Sequence, residues 1–395
     1  MNKNFVIFLL AYAISNFGNW LTFAAVSYLT FQNGGTTTVA ILQIMPILTL
    51  SIFGSGIGLL VDYKPAKKTI LFTMFFLGVQ TLFYLFYQWQ LYMFLMSIQA
   101  IFHFTFMAAY NRFFPALVED SYLDKACGIV NLISQIAVTI GLTSGTYLTN
   151  IIGTKVFLID VATFVIAIAA ISTIPVEVKG ILKKESINFT QTEKKYNFIS
   201  DILEGIKYII NNEEYKTIVI FYTLAHVCWG LKDVIALAIV EKQLKLPLEW
   251  TGLYMATSTI AEIFASILIA HGLINSTSNS IQKIESGICL LSLSFVGTSL
   301  SSSPLIGFSF KFSEGFASAI TGVICHNILL LRSPQNLRGR LSGIIGMLTN
   351  LSLLGGKLLA GIFSDLFTPQ AVCGWVGGAV FIVTIIFIRK NLNKV

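Results

Sequence analysis

The sequence predicts an all-α integral membrane protein with twelve transmembrane helices in two pseudo-symmetric six-helix bundles. Three observations predict this. Asn4 to Val61 and Thr69 to Asn111 contain no Asp, Glu, Lys or Arg. A spanning helix needs about 20 mostly apolar residues, so each stretch holds two spans. The basic residues fall in alternate loops, and the two halves of the chain echo one another at an offset of 215.

Composition agrees. The chain has 395 residues, 55% of them hydrophobic and only 11% charged, against about 25% charged in soluble domains. Its 32 Phe and 30 Gly suit a packed membrane bundle, where small residues let helices approach closely. A net charge of +7 raises the question of a nucleic-acid partner. The basic residues sit in short loops rather than in a basic domain, so they read as a topology signal and no nucleic acid is expected. Cys127, Cys228, Cys289, Cys325 and Cys373 lack CxxC spacing. They read as small core residues, with no disulfide and no metal. The apolar run from Phe5 to Phe31 is too long for a cleaved signal peptide.

The spans are expected at 5–31, 37–61, 68–87, 90–114, 126–150, 154–174, 216–240, 250–271, 284–300, 304–331, 340–365 and 369–389. Turn signals separate them, among them Asn33-Gly34-Gly35, Tyr63-Lys64-Pro65, Gln88-Trp89-Gln90, Ser301 to Pro304, and Thr368-Pro369. With the N-terminus in the cytoplasm, the inside loops carry Lys64, Lys67 and Lys68; Arg112 and Lys125; the lysines from Lys179 to Lys216; Lys283; Arg332, Arg338 and Arg340; and Arg389, Lys390 and Lys394. The outside loops hold Lys155, Lys242 and Lys245. This asymmetry places both termini in the cytoplasm of a multi-pass protein of the bacterial cytoplasmic (inner) membrane.

The longest polar stretch, Glu177 to Lys216, divides the chain into six spans plus six. The expected organisation is an N-terminal bundle over 1–175, a cytoplasmic linker over 176–215 and a C-terminal bundle over 216–395. Within the linker, Phe198 to Asn211 reads as an amphipathic helix. Ile199, Ile202, Leu203, Ile206, Ile209 and Ile210 share one face, opposite Asp201, Glu204 and Lys207. It is expected to lie along the inner membrane surface.

The repeat aligns Cys127-Gly128-Ile129-Val130-Asn131 with Ser342-Gly343-Ile344-Ile345-Gly346, and Gly141 with Gly356. Related six-helix halves are a transporter architecture, with the cargo site near mid-membrane at their interface. Gly141 and Gly145 share a helix face and would let a partner helix approach closely, as would Gly128 with its neighbours. Packing and sliding remain two readings of these glycines.

Gly58-Leu59-Leu60-Val61-Asp62-Tyr63-Lys64-Pro65-Ala66-Lys67-Lys68 resembles the signature loop of the major facilitator superfamily. Gly58, Asp62, Lys67 and Lys68 fit its pattern; Tyr63 and Pro65 depart from it. The resemblance implies a cytoplasmic latch at this loop, with Arg112 as a partner for Asp62. Phe113-Phe114-Pro115-Ala116-Leu117-Val118, Phe157-Leu158-Ile159-Asp160, Leu203 to Tyr208 and Leu337 to Gly343 resemble an exporter branch that includes the enterobactin exporter and macrolide-efflux proteins. That branch implies efflux by antiport with protons, hence siderophore export or multidrug resistance. One departure weakens the antiport reading. Where the family often has a Gly-Pro pair in span 5, Gly141 and Gly145 are followed by Leu142 and Thr146.

Ionisable residues inside a membrane are costly and mark function. The N-terminal half has Asp160. The C-terminal half has Lys232, Asp233, Glu262, Lys311, Glu314 and Lys357, three bases and three acids. Lys311 and Glu314 share a helix face, whereas the adjacent Lys232 and Asp233 point apart and each needs another partner. One reading is a structural ion-pair network. The other assigns proton coupling to Asp233, Glu262, Glu314 and Asp160, and cargo binding to Lys232, Lys311 and Lys357. His226 and His326 are further proton-shuttle candidates, with packing the blander reading. Asn16, Asn19, Trp20, Gln43, Gln99, Phe102, His103, Phe106, Tyr110 and Asn111 mix amides and aromatics, a lining suited to amphiphilic cargo.

No HExxH, GxSxG or P-loop motif occurs, so an enzyme is not expected. The reading is a proton-coupled exporter of a small organic molecule, without cofactor, working as a monomer among membrane lipids by rocking of its two bundles. A lysophospholipid flippase or a small-solute importer of the same fold is the alternative, and a sensor or scaffold that no longer transports is a third.

Overall fold

A computed structural model describes residues 3–62, 64–86, 88–119, 122–175, 198–271, 273, 280–334 and 337–392. Among them no strand occurs. In order, the helices are α1 (Lys3–Asp62), α2 (Ala66–Phe83), α3 (Trp89–Phe113), α4 (Leu123–Ile152), α5 (Phe157–Ser172), α6 (Phe198–Asn211), α7 (Glu213–Ala238), α8 (Thr251–Ala270), α9 (Ser280–Leu300), α10 (Pro304–Arg332), α11 (Arg338–Leu366) and α12 (Pro369–Leu392). Two predicted spans fall within α1. The others fall one each on α2–α5 and α7–α12, and α6 is the predicted amphipathic helix. Eight described segments are long and apolar enough to cross a membrane. Two of these, 3–53 and 125–172, each carry two predicted spans.

Local chemistry sets the breaks. The expected turn at Asn33-Gly34-Gly35 is a kink in α1, where Gly35 takes φ 64°, a conformation open to glycine. Gly153 (φ 58°) ends α4 in the same way. Pro304 occupies the first turn of α10, and the Ser303 hydroxyl accepts from the Ile306 amide at 3.4 Å. Asn212 caps α7 by accepting from the Tyr215 amide at 3.0 Å.

By packing, the chain divides into two units: Met1–Asn33 with Ile41–Lys194, and Gly34–Ala40 with Lys195–Val395. In the first unit, the core gathers Phe5, Phe8, Met74, Phe106, Tyr110 and Phe164 from α1, α2, α3 and α5. In the second, α7 lies along α11, α10 is flanked by α8 and α9, and α9 packs on α12.

The repeat reappears in atomic detail. Trp89 and Pro304, which begin α3 and α10, lie 215 apart, as do Leu123 and Arg338, which begin α4 and α11. A Cβ on Gly141 would meet the Phe17 carbonyl oxygen at 2.8 Å and the Leu21 nitrogen at 3.1 Å; one on Gly356 would meet the Val227 oxygen at 2.1 Å and the Leu231 nitrogen at 3.0 Å. Phe17 and Leu21 are therefore the counterparts of Val227 and Leu231. Gly145 packs on the Leu21 carbonyl of α1, and Gly230 on the Leu353 carbonyl of α11. Two expectations are corrected. A Cβ on Gly128 or on its counterpart Gly343 would meet nothing within 4 Å among the described residues, so neither seats a described helix. Cys127, beside Gly128 on this open turn of α4, is exposed rather than core, whereas Cys228, Cys325 and Cys373 are buried.

α6 docks on the second unit. Gly205 packs against Ile344 and Leu341, Glu204 pairs with Arg340, and Ile209 is buried. Leu203, Ile206 and Ile210 stay exposed, so the predicted apolar face is split between protein and surroundings.

Candidate functional site

The intramembrane charges of the second unit assemble into a buried cluster. Lys232 of α7 places Nζ 3.1 Å from Glu262 Oε1 of α8 and 3.5 Å from Glu314 Oε1 of α10. Lys311, one turn from Glu314, places Nζ 2.8 Å from Glu314 Oε2. The order Glu262–Lys232–Glu314–Lys311 alternates acid and base, so no like charges adjoin along the chain of contacts. The Tyr254 ring of α8 lies 5.2 Å from Lys311 Nζ, a cation–π contact. Ser258 accepts from Lys232 at 3.4 Å. Asp233 turns the other way and pairs with Lys357 of α11 at 3.6 Å. The notched helix contact at Gly230 and Gly356 brings α7 and α11 close enough for that pair.

Access differs along the cluster. Glu262 and Asp233 are 27% and 34% exposed, while Lys311, Glu314 and Lys357 are buried. Each ionic group therefore presents a carboxylate to the outside and keeps a lysine behind it. A cavity of about 10 Å³, room for about one water, lies among Lys232, Tyr254, Lys311, Glu314 and Cys373. Glu314 Oε1 accepts no hydrogen bond from the described residues and is held by charge alone. The arrangement can exchange a proton at its open carboxylates and expose ammonium groups to an anion.

The remaining candidates are dispersed in the first unit. Asp160 is wholly buried, with Thr22 and Thr163 hydroxyls on its oxygens. Phe106 and Tyr110 belong to the core, stacked with Tyr12 and Phe8. His103 is exposed beside Phe106, and Gln43 is buried. Trp20 packs edge-on against Phe23, and the buried Asn19 Oδ1 accepts no hydrogen bond from the described residues. Asn16 donates to the Ser134 hydroxyl at 2.9 Å, and the Tyr84 hydroxyl donates to Gln99 at 3.0 Å. A larger cavity of 590 Å³ lies away from these groups, among Phe5, Leu117, Tyr122, Lys125 and Ala126.

At the signature-like loop, Lys67 donates to the carbonyls of Ser172 and Ile174, capping the end of α5. Arg112 reaches the Lys64 carbonyl at 3.3 Å. Lys68 is exposed. The side chain of Asp62 and the surroundings of Gly58 lie outside the described residues. His226 sits between Tyr222 and Trp229, with ring centroids 4.5 Å from each, and Trp229 donates to Ser318 at 3.0 Å. His326 is exposed on α10.

Sequence reasoning missed Tyr254 and Asp365. Asp365 accepts the Thr37 amide at 2.8 Å and the Thr36 amide at 3.4 Å, just past the kink at Gly35. The uncapped first turn after Gly35 was the available signal, since its amides need an acceptor of this kind.

Known proteins place the fold. The chain is 23% identical to an uncharacterized MFS-type transporter, YfiS of Bacillus subtilis (strain 168), over 97% of this chain and 93% of that protein. Among solved structures, the nucleoside transporter NupG superposes with a TM-score of 0.76 at 12% identity, covering 98% of both chains. A peptide transporter POT in complex with sulfate superposes at 0.72 and 13% identity, covering 100% of this chain and 95% of the other. At such identities the likeness is one of fold. Residues 8–279, more than half of the chain, match the profile of the Major Facilitator Superfamily. With its repeated helices and intramembrane charge, the chain belongs to that superfamily, as a multi-pass membrane transporter.

Proposed function

We propose that this transporter exports a small organic molecule, a siderophore or an amphiphilic drug such as a macrolide, across the bacterial cytoplasmic membrane by alternating access driven by proton entry. The observation that carries this reading is the alternating cluster Glu262–Lys232–Glu314–Lys311 with its open end at Glu262. A proton on Glu262 removes one of the two counter-charges of Lys232 and frees that ammonium for an anionic group of the cargo. A proton on Asp233 does the same for Lys357. Glu262, Asp233 and Glu314 are thus the coupling acids, and Lys232, Lys311 and Lys357 the cargo-facing bases. The segments resembling the exporter branch support the direction. Asn19, Trp20 and His103 are the first unit's own candidates for amide and aromatic contact with cargo, and Lys67, Lys68 and Arg112 belong to the signature-like loop.

The test is uptake into inside-out proteoliposomes under an imposed proton gradient, with a labelled carboxylate siderophore and a labelled macrolide in parallel. Gradient-dependent uptake of either is expected, and Glu262→Gln is expected to abolish its dependence on the gradient. Uptake only in right-side-out vesicles would replace export by import. One observation favours that second reading: span 5 lacks the Gly-Pro pair, having Leu142 and Thr146 after its glycines.

A further inference from the structure

Asp160 has no part in the charged cluster, yet it is 0% exposed and none of the ion pairs among the described residues involves it. The groups that face it are neutral. They are Gly18 and Thr22 from α1, Thr81 and Tyr84 from the end of α2, and Thr163 from its own helix, with Tyr92 of α3 behind Tyr84. A Cβ on Gly18 would sit 2.0 Å from Asp160 Oδ1, so the carboxyl is pressed against bare backbone.

The hydrogens around it can be counted. Thr163 Oγ1 has one hydrogen and two acceptors, the Asp160 carbonyl at 2.7 Å and Oδ1 at 3.0 Å. The shorter contact is to the carbonyl, which competes with Oδ1 for that hydrogen. Thr81 has both the Leu77 carbonyl, at 2.9 Å, and the carboxyl as acceptors for its one hydrogen. Tyr84 donates to Gln99, and Tyr92 to the Tyr84 carbonyl. The Thr22 hydroxyl is the nearest donor to the carboxyl, at 2.5 Å to Oδ2, and every group on the carboxyl is a neutral hydroxyl. When Thr163 donates to the Asp160 carbonyl, Oδ1 and Thr163 Oγ1 face each other at 3.0 Å, and a proton on the carboxyl completes the contact. An ionised group would be a buried charge surrounded by neutral hydroxyls, with no counter-ion among the described residues.

We propose that Asp160 is a proton-binding site of the N-terminal unit. In the conformation described here, Oδ1 carries the proton and donates it to Thr163 Oγ1, while Oδ2 accepts from Thr22. The repeat supports this independently. With Leu21 the counterpart of Leu231, Thr22 holds the position of Lys232. The second unit has an ammonium at that position and this unit a hydroxyl, so no base stands there to balance an ionised Asp160. The N-terminal amides of α5 favour a negative Asp160. A dipole's partial charge does not match the loss of solvation on full burial.

The site stands apart from the direction and cargo of transport, so its test needs neither. Infrared spectra of the purified full-length protein labelled with 13C-aspartate, in H₂O and D₂O at neutral pH, read the C=O stretch of a protonated carboxyl. The expected result is a 13C-shifted acid band that disappears in Asp160→Asn. Thr163→Val, which keeps volume and removes the acceptor, is expected to shift the band to higher frequency, and serves should Asp160→Asn not fold. An acid C=O region identical in wild type and Asp160→Asn, with only carboxylate bands lost in the variant, would overturn the proposal.

Discussion

The two units share a frame and differ in what they bury. Gln99 stands against Glu314 and Asn150 against Asp365 at the offset of 215, and the glycine contacts set Thr22 against Lys232 at 210. Gln99 and Glu314, and Asn150 and Asp365, are nearly equal in size and differ in charge, whereas Lys232 is both longer than Thr22 and charged. Gln99 accepts from Tyr84, and Asn150 from Tyr28 at 3.1 Å, both neutral bonds. Glu314 instead holds two lysines, and Asp365 holds two backbone amides. The glycine seam that seats α4 on α1 and α11 on α7 is common to both. Duplication thus supplied the scaffold, and substitution of hydroxyl and amide by ammonium and carboxylate made one half ionic. Neutral bonds of this sort contribute about 1 kcal/mol each and survive singly. Buried ions depend on one another, so the second unit is the one that a single change disrupts.

The largest break in the comparison is Lys232→Thr, which gives the second unit the residue of the first. Glu262 and Glu314 lose their shared counter-ion, and a destabilisation of about 3–5 kcal/mol is expected, as for removing one member of a buried pair. Thr22→Val in the first unit removes one hydrogen bond and is expected to cost about 1 kcal/mol. Thermal unfolding in detergent compares the two. Adding Glu262→Gln to Lys232→Thr leaves the Lys311–Glu314 pair balanced and is expected to restore most of the loss. Equal losses for Lys232→Thr and Thr22→Val would show that the charges are not mutually dependent.

A smaller effect separates the seams. Gly356→Ala drives a methyl to within 2.1 Å of a carbonyl oxygen, and Gly141→Ala to within 2.8 Å. Backbone cannot swing aside as a side chain can. Overpacking of this kind costs about 1–3 kcal/mol, with Gly356 expected at the upper end and Gly141 below it. Gly128→Ala and Gly343→Ala meet nothing and are expected to be silent in the same unfolding assay.

These glycines show what the sequence carries and what it does not. Uncharged runs and the alternation of lysines marked the spans, because a bilayer core excludes charge over a fixed length. The i, i+3 spacing of Lys311 and Glu314 announced their bond, and the adjacency of Lys232 and Asp233 announced that each needed a partner elsewhere. Which partner was not legible, since Glu262 and Lys357 lie on helices whose pairing is decided by packing. Gly128 and Gly141 look alike in the sequence, but only Gly141 meets a neighbour. Tyr254 over Lys311 and the three threonines around Asp160 were invisible for the same reason: a Thr or Tyr in an apolar run carries no mark of whether it faces lipid, core or a carboxyl.

The smallest break concerns Asp365, whose counterpart is Asn150. After the kink at Gly35 the backbone starts a new helical run, and its first amides have no partner within that run. Asp365 accepts those of Thr36 and Thr37, while Thr37 Oγ1 donates to the Gly361 carbonyl at 2.8 Å and a Cβ on Gly361 would lie 2.4 Å from Ala40. The segment Gly34–Ala40 is thereby held to α11, although the chain on either side of it belongs to the other unit. Asp365→Asn keeps one acceptor oxygen and loses the charge. A cost of about 0.5–1 kcal/mol is expected, with Asp365→Ala reaching about 2 kcal/mol as for a lost helix cap. Amide hydrogen exchange at Thr36 and Thr37 checks it, rising in Asp365→Ala and little changed in Asp365→Asn. Equal exchange in both variants would mean that charge, rather than the hydrogen bond, secures the segment.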